Sequence, residues 1–272
     1  MPPWWARATV AKWRERGWTE VIPPSWTNVF EMGRCAGGTE MQFETKQSAR
    51  EWVWDELTEQ GVARFPFPVT GRIPNFSGAE EAAARLVEHP LVAKAQVVKV
   101  NPDSPQRPVR EALLRAGKTV VVPTPRLKAG FMAFDPAEIA DDDIRDATMI
   151  SRWKPHARKV ALDEMPDIDV IVTGCVAVTE DGKRAGKGHG YSDLEYAILR
   201  ELGQPPVPVV TTVHDVQVVD EFPVEDHDVH LSVIATPTRL WEVASPGEGP
   251  EGLDWELLDE GDVEAMPVLG EL

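Results

Sequence analysis

The chain predicts an α/β fold, a three-layer sandwich built on a mostly parallel central sheet. Two observations carry this. Five short segments rich in Val and Ile, 95–100, 118–122, 168–173, 207–213 and 230–235, lack the apolar–polar alternation of a half-exposed strand. Strands buried on both faces read that way. Helix-like segments at 45–60, 78–88, 106–116 and 192–202 fall between or beside them, and alternation of the two types is the mark of a parallel sheet covered by helices. At 272 residues the chain can bury a sizeable core.

Residues 1–40 stand apart. They contain five of the ten tryptophans and carry five basic and four acidic residues, a net of +1, which leaves −18 for the rest of a chain at −17. They read as an N-terminal extension outside the core, with Met41 opening a single domain over 41–272; an aromatic docking arm is the alternative. The segment ETKQSAREWVWDEL, just past Met41, has the apolar spacing of an amphipathic helix, and Lys46 and Arg50, four apart, share one of its faces.

The next stretch, ARFPFPVTGRIPNFSGA (63–79), is a proline-punctuated loop. Phe65 and Phe76 are of the type that sandwiches a planar ring, or else plug the core. In 100–127, Asp103 follows one strand and PTPRL ends another, where ligands gather in such sheets. Residues 124–166 are irregular and are expected to form a long connection with one or two short helices. The acidic segment 242–272 is expected to add a closing strand and a short helix.

The most informative stretch is GKRAGKGHGYSDLEYAILRELG (182–203). Gly186, Gly188 and Gly190 bring backbone N–H groups close to a ligand without a Cβ in the way. The helix that follows contributes unpaired N–H groups and a partial positive charge. Arg184 and Lys187 supply countercharge, Tyr191 begins the helix, and Asp193 is placed to hold a phosphate-bound Mg2+. The loop is neither a Walker loop nor a dinucleotide fingerprint, so a glycine-rich turn with solvated charges stays open. His214, Asp215, Asp220, His227 and Asp228 are metal-ligand types, but their spacing matches no known pattern, and a structural role is favoured.

Composition excludes several classes. A net charge of −17 disfavours nucleic acid and anionic membranes as partners and suits a salty cytoplasm, where screening removes self-repulsion. No apolar run approaches the roughly 20 residues that span a bilayer. The N-terminus lacks the apolar core of a signal peptide. Cys35 and Cys175 are too few for a disulfide framework. A cytoplasmic monomer acting on a small molecule is expected.

These blocks together resemble the 5-formyltetrahydrofolate cyclo-ligase (methenyltetrahydrofolate synthetase) superfamily, in its divergent domain-containing branch. The carriers are KQSAR (46–50), FPFPVTGRIPNFSGA (65–79), VKVNPDSPQRPVR (98–110), VVVPTPRL (120–127), GCVAV (174–178), GKGHGYSDLEYAIL (186–199), VVTTVHDVQVVD (209–220) and HD (227–228). The resemblance covers about 44–272 and implies a Rossmann-like sandwich using ATP and Mg2+ to close a ring on a reduced folate. It implies that Lys46 and Arg50 contact ATP phosphates, together with Gly186, Lys187, Gly188, Gly190 and Tyr191. Asp193 would be the metal-associated aspartate, Arg184 and Lys187 the catalytic cations, and Asp103 the acid nearest the pterin. The family's common loop reads approximately GYGGGYYDR; here His189 and Ser192 differ and Glu195 follows, and AVT (177–179) replaces the AFD triplet. Activation of a different heterocycle, in thiamine-related metabolism, and a nucleotide-binding regulator without turnover are the competing readings.

Overall fold

The computed structural model describes residues 41–247, 249–258, 264 and 266–272; the tryptophan-rich segment 1–40 lies outside the described residues. In chain order the strands are β1 (Ala63–Arg64), β2 (Asn75–Phe76), β3 (Val97–Val100), β4 (Thr119–Pro123), β5 (Phe131–Phe134), β6 (Arg158–Val160), β7 (Val170–Thr173), β8 (Ala177–Thr179), β9 (Arg184–Ala185), β10 (Val209–Thr212), β11 (Val218–Val219), β12 (Val233–Ala235) and β13 (Leu240–Glu242). The helices are α1 (Lys46–Glu59), α2 (Ala79–Glu88), α3 (Pro90–Lys94), α4 (Arg107–Arg115), α5 (Ile144–Ala147) and α6 (Tyr191–Glu201).

An eight-stranded sheet runs β13-β12-β10-β7-β3-β4-β5-β6. Its five central strands are parallel, with Val98 opposite both Val120 and Val170, and Val172 opposite Val210. β5, β6 and β13 join at the edges antiparallel. Apart from Val97 at the start of β3, the Val and Ile residues of the central strands are buried because both faces are covered. On one face Val98, Val120, Val172 and Val210 pack with Leu86 of α2 and Leu113 of α4. On the other, Val121, Ile171 and Ile234 pack with Ile198 and Leu199 of α6 and with Val268 and Leu269 near the C-terminus. The predicted sandwich is therefore the fold.

The region 124–166 corrects the sequence reading. Instead of a plain connection it holds β5, β6 and the one-turn helix α5, which extend the sheet by two antiparallel strands. At the C-terminus the closing strand falls at 240–242, and the helical turns at Trp255–Leu257 and Pro267–Glu271 are 3-10 in type.

Two caps set the helices nearest the site. Thr45 caps α1 by accepting from the Ser48 N–H, and Ser48 reciprocates toward the Thr45 N–H, a capping box. Ala49, Val53, Trp54 and Leu57 then form one buried face of α1 against the small sheet β11-β8-β9. α6 starts after Gly190, whose φ of 67° is a left-handed conformation that glycine adopts without strain.

Candidate active site

The order of the strands fixes where a ligand belongs. From β3 the chain crosses to β4 on one side; from β7 it runs to β10 and then β12 on the other. The direction reverses between β3 and β7, and a crevice opens beyond the carboxyl ends of strands at such a switch point. A cleft of about 270 Å3 lies there. Its wall takes Asp103 and Ser104 from the loop after β3 and Arg126 from the turn after β4. Ile150 joins them, with Arg72 and Ile73 from the proline-rich loop and Lys187, His189 and Tyr191 from the glycine-rich loop and the start of α6.

Of the residues expected from sequence, Asp103, Lys187 and Tyr191 line this cleft. The Lys187 ammonium lies 3.7 Å from the Asp103 carboxylate, so loop and switch point face each other directly. Lys46 and Arg50 reach the glycine-rich loop and its neighbour from α1. Arg50 Nε donates to the Gly186 carbonyl at 2.6 Å, and its guanidinium lies beside Gly188, which has a φ of 99°. Lys46 donates to the carboxylates of Asp228 and Glu225. Glu225, His227 and Asp228 bring ligand atoms within 4.8 Å of one another, and the cation this set holds is the Lys46 ammonium.

Two expectations need correction. Phe76 is 2 % exposed and packs with Ala79 and Ala82, so it belongs to the core; the β1–β2 pairing turns its side chain inward. Phe65, by contrast, is 77 % exposed, with Phe67 beside it at 60 %. Arg184 is buried and stands away from the cleft wall, paired with Asp193 at 2.5 Å and donating to the Val229 carbonyl. Burial pulls its guanidinium down, but the Asp193 carboxylate outweighs that and holds it above the ordinary value. One oxygen of Asp193 is thereby engaged, accepting from Arg184 and from the Val229 N–H; the second oxygen accepts no hydrogen bond among the described residues.

Beneath the cleft lies a polar layer. The Lys99 ammonium is buried against the Glu195 carboxylate and donates to Asn101 Oδ1 at 3.0 Å, while Asn101 donates to the Ser192 hydroxyl at 3.0 Å. β3 is thus tied to the first turns of α6. Arg110 of α4 donates to the carbonyls of Asn101, Asp103 and Thr148, bracing the loop that presents Asp103. Burial lowers its guanidinium to about 9, with Asp103 opposing, so it remains a cation at neutral pH. Glu195 and Lys99 escaped the sequence reading because each looked like an ordinary strand or helix residue. The signal was a lysine inside an apolar strand (VVKV) and a glutamate on the buried face of an amphipathic helix.

His214 accepts from the Val216 N–H and closes the turn after β10, the structural role expected of it. The Cys175 thiol is buried and pushed up by that burial, consistent with an inert side chain. Among the described residues no helix is long and apolar enough to cross a membrane.

Comparison with known proteins gives the family. The mouse methenyltetrahydrofolate synthase domain-containing protein is 43% identical over 234 residues, 84% of this chain and 63% of the relative. The chain thus spans a little over three-fifths of that relative. The 5-formyltetrahydrofolate cyclo-ligase of Escherichia coli is 31% identical over 174 residues, 60% of this chain and 90% of that protein. The solved Aquifex aeolicus 5,10-methenyltetrahydrofolate synthetase aligns over 77% of this chain and 98% of its own at 17% identity, with a TM-score of 0.46. The model of the 5-formyltetrahydrofolate cyclo-ligase family matches residues 44–237, most of the described body, and the chain belongs to that family.

Proposed function

We propose that the protein uses ATP and Mg2+ to convert 5-formyltetrahydrofolate to 5,10-methenyltetrahydrofolate. One observation carries the reading beyond family membership: the glycine-rich loop and the N-terminus of α6 bring Lys187 opposite Asp103 in the switch-point cleft. In this reaction the formyl oxygen takes the γ-phosphoryl group and ADP leaves. The N10 nitrogen then attacks the activated carbon, N10 loses its proton and phosphate departs. Such chemistry asks the protein to align two substrates and stabilise negative charge.

The residues fit those tasks. A Cβ at Gly190 would meet no atom within 4 Å, so the loop has room for phosphate oxygens at the helix N-terminus. Backbone N–H groups of Gly186, Gly188 and Gly190 hold the phosphates, Lys187 steadies the transferring group, Arg50 supports the loop from α1 through the Gly186 carbonyl, and Lys46 ties α1 to Glu225 and Asp228. Tyr191 and Asp103 face the heterocycle, and Asp103 is the carboxylate in place to take the N10 proton. Phe65 is exposed and adjoins Pro66, which lines the cleft. Mg2+, when bound, neutralises charge on the phosphates, and the unengaged oxygen of Asp193 is the ligand this chain offers. Arg184 acts by fixing that carboxylate.

A second reading is ATP-driven activation of a different small heterocycle. Burial of Phe76 favours it, since the aromatic sandwich expected for a pterin is not assembled. A nucleotide-binding regulator would keep the loop and lose turnover. The deciding assay supplies 5-formyltetrahydrofolate, Mg2+ and ATP in molar KCl and follows methenyl absorbance and ADP release together. Stoichiometric formation of both is expected. ATP binding without methenyl product would overturn the folate assignment, and ADP release with another heterocycle would select the second reading.

A further inference from the structure

Arg126 sits in a turn that its side chain does not need. Arg126 and Leu127 both have left-handed backbones, φ 59° and 53°, in a region that disfavours residues bearing a Cβ. The turn is tied down on every side. Thr124 Oγ1 accepts from the Ala129 N–H at 2.9 Å and donates to the Gly130 carbonyl at 3.0 Å. The Thr124 N–H also donates to that carbonyl, and the Leu127 N–H donates to the Thr124 carbonyl, each at 2.8 Å. Leu127 is fully buried and so anchors the turn in the core. Arg126 gains nothing comparable: it is exposed and makes no hydrogen bond or ion pair among the described residues. A glycine would fit this backbone better. Strain held at a ligand cleft by an over-determined turn is the pattern of a functional residue.

Arg126 lines the same cleft as Arg72, whose Nε is tied to the Pro68 carbonyl at 3.1 Å. Lys187, the third cation there, already faces Asp103 and belongs to the glycine-rich loop. The two arginines come from the proline-rich loop and the turn after β4. Guanidinium forks match planar carboxylates with two parallel hydrogen bonds. We propose that Arg126, with Arg72, forms a carboxylate-binding subsite at the cleft that takes the glutamate end of a folate-type substrate. This rests on the folate reading above and adds the determinant that separates a glutamylated substrate from its pteroate core.

The test measures binding of three probes to the full chain and to Arg126→Gly: 5-formyltetrahydrofolate, 5-formyltetrahydropteroate (which lacks the glutamate) and N-(4-aminobenzoyl)-L-glutamate. Mg·ATP binding and melting temperature are recorded alongside. The full chain is expected to prefer the glutamylated folate by about tenfold or more, the scale of a charge-assisted hydrogen-bond pair. Arg126→Gly is expected to erase that preference, keep ATP affinity within about twofold and melt no lower than the parent, because glycine relieves the strained backbone. Equal binding of the two folates by the parent, or a preference retained by the variant, overturns the inference. Loss of ATP affinity in the variant overturns it too, by assigning the arginine to phosphate. Binding of aminobenzoyl-glutamate that needs Arg126, in a protein that does not turn over 5-formyltetrahydrofolate, supports the subsite and sinks the cyclo-ligase reading alone.

Discussion

Removing either member of the Lys99–Glu195 pair should unsettle the protein far more than removing both. Their side chains are 1 % and 5 % exposed. Burial pulls the Lys99 ammonium down against the attraction of Glu195, and burial pushes the Glu195 carboxyl up against the attraction of Lys99. A carboxyl raised in the folded state contributes stability below its unfolded value and loses it as pH rises through the folded one. An ammonium lowered in the folded state contributes only above its unfolded value. At neutral pH, therefore, desolvation of both groups costs more than their attraction returns. Lys99→Met or Glu195→Leu alone leaves one buried charge without its partner, a loss of about 3–5 kcal/mol. In a body of this size each kcal/mol moves the melting temperature by roughly 2–4 °C, so each single variant should melt about 6–20 °C lower. The double variant removes both charges and forfeits mainly the Lys99 bond to Asn101, about 1 kcal/mol. Thermal unfolding followed by circular dichroism at pH 7 makes the comparison. Single variants within about 1 kcal/mol of the parent, or a double variant as damaged as the two singles summed, would refute the reasoning.

Asp193→Asn should cost about 3 kcal/mol in urea unfolding, because it strips the counter-charge from buried Arg184; Lys187→Ala, at a half-exposed side chain, should cost under about 0.5 kcal/mol while weakening Mg·ATP binding. Equal stability losses in the two would contradict this division. Gly182→Ala should cost more than about 2 kcal/mol: the glycine has a φ of 94°, and a Cβ there would lie 2.7 Å from the Leu231 carbonyl oxygen. A parental urea midpoint would show that the turn after β8 yields. The His89 hydrogen bond holds the Glu242 carboxyl below its usual 4.5, with burial opposing, so its stabilisation is present above that value and is lost as pH falls through the lowered one. With a side chain 61 % exposed its size should stay under about 1 kcal/mol, and Glu242→Gln should flatten the acid limb of the stability profile. Finally, the net charge of −17 predicts a melting temperature that rises from low salt to molar KCl, and a fall would count against a salt-adapted protein.

The central strands and the helices beside them were legible because burial on both sheet faces leaves short runs dominated by Val and Ile, and the helix faces keep their apolar spacing. The edges were not. β6 is only Arg158–Val160, with Arg158 and Lys159 exposed; charge on an outer strand discourages edge-to-edge pairing and removes the apolar signal. The glycine-rich loop could be read because glycine, lysine and a helix start lie together in sequence. Arg184 could not be placed, because its burial depends on Asp193, nine residues on, and on the Val229 carbonyl from a distant segment. Phe65 and Phe76 look alike as letters and diverge in space because β2 pairs with β1 at Phe76 and turns it inward.

The polar groups that face the cleft stand on elements held by polar contacts beneath it. Asp103 stands on a loop whose carbonyls Arg110 gathers. Lys187 and Tyr191 precede and open a helix fastened to β3 through Glu195 and Ser192. Arg126 rides on the Thr124 turn. Some of this bracing is unfavourable for stability alone: buried Lys99 and Glu195 cost desolvation, and the buried Arg110 Nε and Gln106 Oε1 have no hydrogen-bond partner among the described residues. An apolar packing would hold the same strands without those costs. What apolar packing would not supply is fixed direction, since hydrogen bonds orient the loops that carry the cleft groups. A cleft that aligns two substrates and stabilises developing charge depends on such preorganisation, which explains why the polar layer sits at the carboxyl ends of the strands while the sheet's two faces remain apolar.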